Sequence, residues 1–525
     1  MAGRPERAGP RPRHRPHDDA GQQPGVPRTA AAADWPDPLL APRRRAQPIG
    51  GGDRRAGSAG VHQRSRAAGS DRAGAGSRTA VPFDRRRNRQ QPEGFVDTPG
   101  AGRWLVLTQY YPPEIGAPQI RLRSLVTELR RHGVEVDVLT GMPNYPAGRV
   151  YPGYEGRWRM REVLDGVSIR RTWTYPATGK SARARLANYF SFTFSAMFEA
   201  LTGPRPAVMF VESQPLSLGL CAVLMKWLRG VPYIYNVPDL QIDVARQLGF
   251  IENRWFLRLA LGLENLFLRH SWKVSTVTDR FVEHFESRGI PRRQITFLPN
   301  GADTVFLRPQ PPSSLLLDRW KLHGKTTFAY VGTHAYYHGL DTLIDAASYL
   351  QDRPDIAILM VGDGPERERL RRLATTRGLN NVVFGESPYD EMAQLYSLAF
   401  ASVATLRDVP VAKGMRLSKI FPALSCGVPV IYAGYGEAAE LLEAERCGIV
   451  VRPENAEALA AAMRQLADDP DRRNRLGVSG RAFVERDYSW STIVGRWLRE
   501  VGIEPRGGPA PVADLAREQA RVEST

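Results

Sequence analysis

Short apolar runs closed by glycine, proline or charged turns alternate with stretches of helical period along most of the chain after residue 102. The run WLVLT (104–108) reads as a buried strand that Pro112 and Pro113 stop. Apolar positions at Ile120, Leu122, Leu125, Val126 and Leu129 then form a helical stripe, with Gly133 just past its end. VEVDVLTG supplies a second strand. Strand, helix and strand in so few residues make a βαβ unit, which requires a parallel sheet. WRMREVLDGVSIRRTWTY predicts a hairpin turned at Asp165-Gly166. AVMFVES, VPYIYNV, WKVSTVTD and ITFLP continue the first series of strands. TTFAYV, DIAILMV, NVVFG, FASVATL and VPVIYAG form a second series, each followed by a helical stretch. Two such series predict an α/β chain with two Rossmann-like domains. The helices of residues 455–502 close the fold.

One helix has two readings. KSARARLANYFSFTFSAMFEAL places Lys180, Arg183 and Arg185 before a Phe-rich stretch with Phe190, Phe192 and Phe194. It is too short in uninterrupted apolar residues to cross a bilayer. It is either a core helix or one lying in a membrane interface. PLSLGLCAVLMKWLR is also too short to span and sits between two strands.

Charge changes the picture only at the N-terminus. The chain carries a net +17, but residues 1–100 hold 19 Arg against 10 acidic residues and no Lys, so the remaining 425 residues carry a mild excess of +8. A nucleic-acid partner is therefore not expected. Rich in Arg, Ala, Gly and Pro, residues 1–101 cannot bury enough apolar surface to order themselves, and disorder is expected. No apolar core follows a basic start, so they do not read as a secretory signal. A basic arm and an over-long translation start are both favoured over a folded role. Cys221, Cys426 and Cys447 stand far apart in apolar surroundings, which gives no metal spacing and fits a reducing cytoplasm.

Candidate chemistry concentrates in residues 404–443. Arg407, Lys413, Arg416 and Lys419 lie in the loop after a buried strand, and Gly434, Gly436 and Glu437 form a Gly-rich turn opening a helix after the next. Loops at the carboxyl ends of parallel strands bind ligands in open α/β sheets, and cations beside a helix N-terminus suit phosphate. The competing reading is a solvated basic loop before an ordinary strand-to-helix turn.

This stretch resembles the donor-binding segment of retaining GT-B glycosyltransferases of family four, within them the group that builds bacterial cell-surface polysaccharides such as O-antigen and colanic acid. YYPPEIGAP resembles that family's N-terminal glycine loop, PNYPAGRVYPGYEG its acceptor loop, PDL at 238–240 a subgroup motif, and PNGAD at 299–303 the interdomain signature. The resemblance covers roughly residues 103–502. It implies an N-terminal acceptor domain (102–303), a nucleotide-sugar donor domain (304–488) and two parallel sheets facing across a cleft. A last helix (489–503) crosses back, and a flexible tail (504–525) follows. It further implies donor contacts at Gly116, Gly332, Thr333, His338, Gly362, Arg407, Lys413, Gly434, Gly436 and Glu437. Acceptor contacts would come from Glu114, Asn144 and Tyr145, and catalytic roles fall to Asp239, Lys419 and Arg416. Asp239 is equally placed to cap the helix beginning near residue 241. The implied substrates are a nucleotide sugar and a polyprenyl-diphosphate-linked saccharide at the inner face of the cytoplasmic membrane, with peripheral contact to anionic lipid. No cofactor or metal is expected, because fixed cations can neutralise the leaving diphosphate.

The departures from the family are specific. Thr333 and His338 stand where many members carry Arg and Lys, and Gly414 and Pro422 stand where the family has two Glu. The second Glu normally binds the donor ribose. A GT-B epimerase-like enzyme and a non-catalytic subunit of a polysaccharide assembly complex therefore stay open beside the transferase.

Overall fold

The computed structural model describes residues 102–505 except 115, 146–147, 178–180, 241, 243–252 and 410–416. Residues 1–101, the tail from 506, and Lys413, Gly414 and Arg416 lie outside the described residues, so the expectations placed on them are not addressed.

The first half runs β1 (Trp104–Leu107), α1 (Ala117–Arg131), β2 (Val136–Gly141), β3 (Arg159–Leu164), β4 (Val167–Thr172), α2 (Ala182–Thr202), β5 (Val208–Glu212), α3 (Leu218–Arg229), β6 (Tyr233–Val237), α4 (Arg254–His270), β7 (Lys273–Thr276), α5 (Asp279–Ser287) and β8 (Ile295–Phe297). Its eight strands have the order β3-β4-β2-β1-β5-β6-β7-β8, all parallel except the β3–β4 hairpin. The hairpin turn puts Asp165 at φ 52° and Gly166 at 71°, the left-handed pair that a tight turn between right-twisted strands needs.

The second half runs α6 (Ser314–Trp320), β9 (Thr326–Val331), α7 (Asp341–Ser348), β10 (Ile356–Val361), α8 (Arg367–Thr376), β11 (Val382–Gly385), α9 (Met392–Ser397), β12 (Ala401–Thr405), α10 (Ile420–Ser425), β13 (Val430–Ala433), α11 (Glu437–Ala444), β14 (Gly448–Val451), α12 (Ala456–Ala467), α13 (Pro470–Phe483) and α14 (Trp490–Val501). Its six parallel strands have the order β11-β10-β9-β12-β13-β14. Chain order therefore reverses between β9 and β12, and the crevice at such a reversal is where these sheets bind ligands.

Central strands such as β1, β5, β10 and β12 are buried along their whole length, as expected of parallel sheets covered on both faces. The two halves are joined at two points that lie side by side. Ala302 N–H donates to the Tyr488 carbonyl (2.9 Å), and Trp490 N–H donates to the Ala302 carbonyl (3.1 Å). Beyond this pair α14 returns to the first half and packs on α1 and β8. Its Trp497 is fully buried, edge-on to Trp104 (6.1 Å between centroids) and Phe210 (5.8 Å). The indole N–H donates to the Ser275 (2.8 Å) and Thr296 (3.1 Å) hydroxyls.

The expected Phe stripe of α2 needs one correction. Phe192 is fully buried, whereas Leu186, Phe190, Phe194 and Phe198 are exposed. At 100° per residue, positions four apart share a face and positions two apart do not.

Candidate active site

The site is built where the second sheet reverses order. After β9 the chain turns at Gly332 (φ 147°), where a Cβ would meet Lys419 Nζ at 3.1 Å. A Cβ on Gly362 (φ 134°), after β10, would strike the Gly332 carbonyl. These two loops touch backbone to backbone, which only glycine permits there. Lys419 arrives from the neighbouring strand: it follows β12 and immediately precedes α10. Its Nζ donates to the Tyr330 hydroxyl (2.7 Å) and stands 3.3 Å from His338 Nε2. Tyr330 in turn donates its proton to the Thr333 carbonyl (2.6 Å).

Burial governs the charges. It lowers the Lys419 pKa to about 7, although part of the side chain stays open to solvent. Burial, then Lys419 and His334, hold His338 well below the usual imidazole range. His338 is therefore neutral and accepts at Nε2, which puts its own proton on Nδ1. His334, completely buried beside them, is pushed down to about 4 by burial, Arg367 and Lys419, and neither ring nitrogen has a partner among the described residues. An ammonium has three protons. Two are engaged, and the third has no acceptor among the described residues. The turn from Gly434 to Glu437 leaves β13, the strand beside β12, so it lies at the same carboxyl edge; Gly436 (φ 85°) caps α11 and Glu437 is its first residue.

Asp239 comes from the other half, just after β6. Burial raises its pKa, and burial first, then the Asp239 charge, raises that of the Tyr337 phenol. Tyr337 packs against His338, 4.4 Å between ring centroids. Asp239 and Lys419, 180 residues apart, thus approach the same Tyr337–His338 pair from opposite halves.

The loop after β1 is held from inside. Glu114 is 2 % exposed, and its carboxylate accepts the Tyr111, Asn144 and Tyr145 amides at 3.2, 2.7 and 2.8 Å. Burial lifts its pKa to about 7 against these bonds. The Asn144 side chain is also buried, donating to the Met142 carbonyl and meeting Asn188. Only Tyr145 turns its ring outward, 36 % exposed and tilted against Tyr110.

Several of the expected site residues also carry bonds within the protein. Glu114 and Asn144 are buried and bond the loop's own backbone, so shaping that loop is the role their contacts display. Arg407 is engaged in the second half: its guanidinium bonds the Tyr336 carbonyl, Glu454 and Asp341 while lying 4.2 Å over the Tyr336 ring. It braces the β9–α7 turn with three of its five N–H groups. Gly116 has an extended φ of 178°, which any residue adopts, and its open side is filled by the Gln119 side chain. Gly332, Thr333, His338, Gly362 and Lys419 do converge. Tyr330, His334 and Tyr337 were missed; the stretch AYVGTHAYYHG carried the signal, an unusual density of aromatic and imidazole groups around a strand end.

With this geometry in hand, the relatives become informative. Residues 116–301 match the family described as "Glycosyl transferase 4-like domain", and residues 318–483 match "Glycosyl transferases group 1". The chain is similar to the O-antigen chain mannosyltransferase C of Escherichia coli, 30% identical over 270 residues, which cover 50% of this chain and 68% of that protein. It is also similar to WcaI of Escherichia coli (strain K12), a glycosyl transferase named for colanic acid biosynthesis: 24% identical over 403 residues, covering 74% and 97%. Among solved structures, the sucrose-phosphate synthase of Thermosynechococcus elongatus superposes with a TM-score of 0.57 at 21% identity, covering 80% of this chain and 99% of that one, which shows the fold. The two matched halves, their order and the paired parallel sheets make this chain a member of the GT-B glycosyltransferases of the family-four type.

Proposed function

We propose that the enzyme transfers a sugar, with retention of configuration, from a nucleotide sugar to a saccharide carried on a polyprenyl diphosphate, during assembly of a cell-surface polysaccharide. The observation that carries the donor half is the Lys419 ammonium, held between Tyr330 and His338 at the order reversal of the second sheet, with one N–H uncommitted among the described residues. As the bond from the anomeric carbon to the phosphate oxygen breaks, negative charge grows on the leaving diphosphate. A preorganised cation stabilises that charge without reorganising. The turn Gly434–Glu437 adds backbone amides at a helix N-terminus. Because the chain supplies its own cation, no divalent metal is assigned to the step. His338 in the place of the family's Lys supports the same reading: a neutral acceptor there leaves room for the charge delivered by Lys419.

Asp239 is assigned to the acceptor. Its carboxylate hydrogen-bonds the attacking hydroxyl and receives the proton as the new glycosidic bond forms. A base must be ionised, and burial raises this carboxyl. Activity is expected to fall as pH drops through a value above the ordinary carboxylate range. Asp239→Asn removes that acid limb together with most of the rate; a limb that persists in the variant assigns the proton elsewhere.

The names of both relatives place them in surface-polysaccharide assembly, and that supports a lipid-carried acceptor here. So does the exposed apolar stripe of α2; α3, packed on α2, exposes Trp227, and α4, packed on α3, exposes Trp255 and Phe256. Among the described residues no helix is long and apolar enough to cross a membrane. Contact at the interface is the reading this stripe supports. Wild-type protein is expected to float with phosphatidylglycerol vesicles and Phe194→Glu to remain behind; equal flotation removes α2 from the contact.

The test of the donor half is a thermal-shift panel of GDP-, UDP- and dTDP-sugars, with GDP-mannose first because one relative is named a mannosyltransferase. A ligand at a hundredfold excess over Kd stabilises by about 2.7 kcal/mol. One nucleotide is expected to shift the melting temperature, and its sugar to be hydrolysed slowly with excess EDTA present. No shift with any nucleotide at millimolar ligand refutes the donor assignment.

A further inference from the structure

Beyond the carboxyl ends of β2 and β4 lies a cavity of about 550 Å³ built wholly from the first half of the chain. That volume is within the roughly 300–1,000 Å³ typical of small-molecule sites. Trp158 and Trp173 form one wall, stacked with centroids 5.3 Å apart and planes 17° from parallel, their backbones joined by a 3.0 Å hydrogen bond. One face of Trp158 is covered by Trp173, yet the residue is 56 % exposed. Arg149 and Arg157 also line the cavity, and neither has a partner among the described residues.

Tyr154, also in the lining, is tied to a buried ion pair. Tyr154 donates to Glu162 (3.1 Å), and Glu162 pairs with the fully buried Arg171 (2.6 Å), whose guanidinium also lies 5.2 Å from the Tyr154 ring. Arg171 further bonds the Gly141 and Pro112 carbonyls, so the cavity wall and the loop after β1 are fastened by one side chain. On the outer side, Arg159 lies 4.9 Å over the Phe198 ring, which ties the start of β3 to the exposed apolar stripe of α2.

We propose that this cavity is a subsite for the acceptor's glycosyl phosphate: a sugar ring lies on the free face of Trp158, and its phosphate reaches Arg149 and Arg157. The electron-rich face of an indole attracts the polarised C–H groups of a sugar ring, and the ring's apolar face loses water against it. Guanidinium forks suit phosphate oxygens. Continuity with α2 gives the isoprenoid chain, carried on the second phosphate of the diphosphate, an apolar path toward the membrane face. This deepens the reading above and rests on the acceptor being a saccharide.

The full chain is titrated with mannose 1-phosphate and N-acetylglucosamine 1-phosphate, read by tryptophan fluorescence and saturation-transfer NMR. The same titrations use Trp158→Ala, Trp158→Phe and the Arg149→Gln/Arg157→Gln double variant. At least one glycosyl phosphate is expected to bind, with a tenfold or greater loss in Trp158→Ala, recovery in Trp158→Phe, and a comparable loss in the double variant. Nucleotide-sugar hydrolysis is expected to be unchanged in all three. Binding that ignores Trp158, no binding by either probe, or displacement by the free nucleoside diphosphate each overturns the subsite. If no nucleotide sugar is hydrolysed while glycosyl phosphate still binds in a Trp158-dependent way, the subsite stands and the transfer reading fails.

Discussion

Lys419→Met is expected to make the protein more stable and nearly inactive. Burial lowers this ammonium's pKa from 10.5 to about 7. Below pH 7 both folded and unfolded chains hold the proton, so the folded state bears the whole penalty. Between pH 7 and 10.5 the unfolded state binds more protons, and stability rises with pH as the penalty is relieved. At roughly 1.4 kcal/mol per unit the penalty amounts to a few kcal/mol near neutrality. Methionine has similar length and no charge, but it leaves Tyr330 O and His338 Nε2 without their donor, which returns about 1–3 kcal/mol. A net rise of a few degrees in melting temperature at pH 7 is expected, together with loss of the wild type's gain between pH 7 and 10. Transfer is expected to fall by ~100-fold or more, since a charge-assisted bond to the leaving group is worth about 3 kcal/mol. In the wild type, kcat/KM should decline above pH about 7 as free Lys419 loses its proton. In kcat the same limb should lie higher, because bound diphosphate favours the charged form. Melting curves and steady-state rates across pH decide the matter. Unimpaired turnover would remove Lys419 from the leaving group, and a lowered melting temperature would make it structural.

Trp497→Ala is expected to cost about 3–5 kcal/mol, the range for emptying a buried indole site. The residue is fully buried among Trp104 and Phe210, and its N–H bridges two hydroxyls that β7 and β8 contribute. Trp497→Phe keeps most of the packing and loses the two hydrogen bonds. It should cost about 1 kcal/mol, because the Ser275 and Thr296 hydroxyls still bond one another at 2.9 Å. Urea unfolding followed by fluorescence and by far-UV circular dichroism reads both variants. With α14 loosened, the two probes are expected to separate, since the first half loses a helix that the second half anchors. A single coincident transition displaced by less than 1 kcal/mol in Trp497→Ala would show that α14 is a passive appendage.

The alternation of apolar runs and helical stripes was enough to read two parallel sheets, because strands buried on both faces carry uninterrupted Val, Ile and Leu. The hairpin was legible in two residues, Asp165 and Gly166. Much of the site was not, and the reasons differ. Lys419 meets Tyr330 across 89 positions because strand order reverses between β9 and β12, and no local pattern encodes a reversal. Glu114 and Asn144 looked like loop polars awaiting a substrate. They are buried because tight loops leave amides that need acceptors, and these side chains supply the bonds. Arg407 is paired with Asp341 and Glu454, 66 positions before it and 47 after, partners that no local pattern reveals. Phe192 illustrates parity: phenylalanines at every second position suggest one surface, but a helix turns them to opposite sides.

The bonded pair of crossings at Ala302 and Tyr488–Trp490 decides how the halves can move. Two chain segments joined by hydrogen bonds act like the pin of a door: turning about them strains little, whereas sliding along them would shear both bonds. A turn about that pair would change the gap between Asp239, in the first half, and Tyr337, in the second. Under the transfer reading proposed above, a substrate that fails to draw the two walls together would be held but not processed.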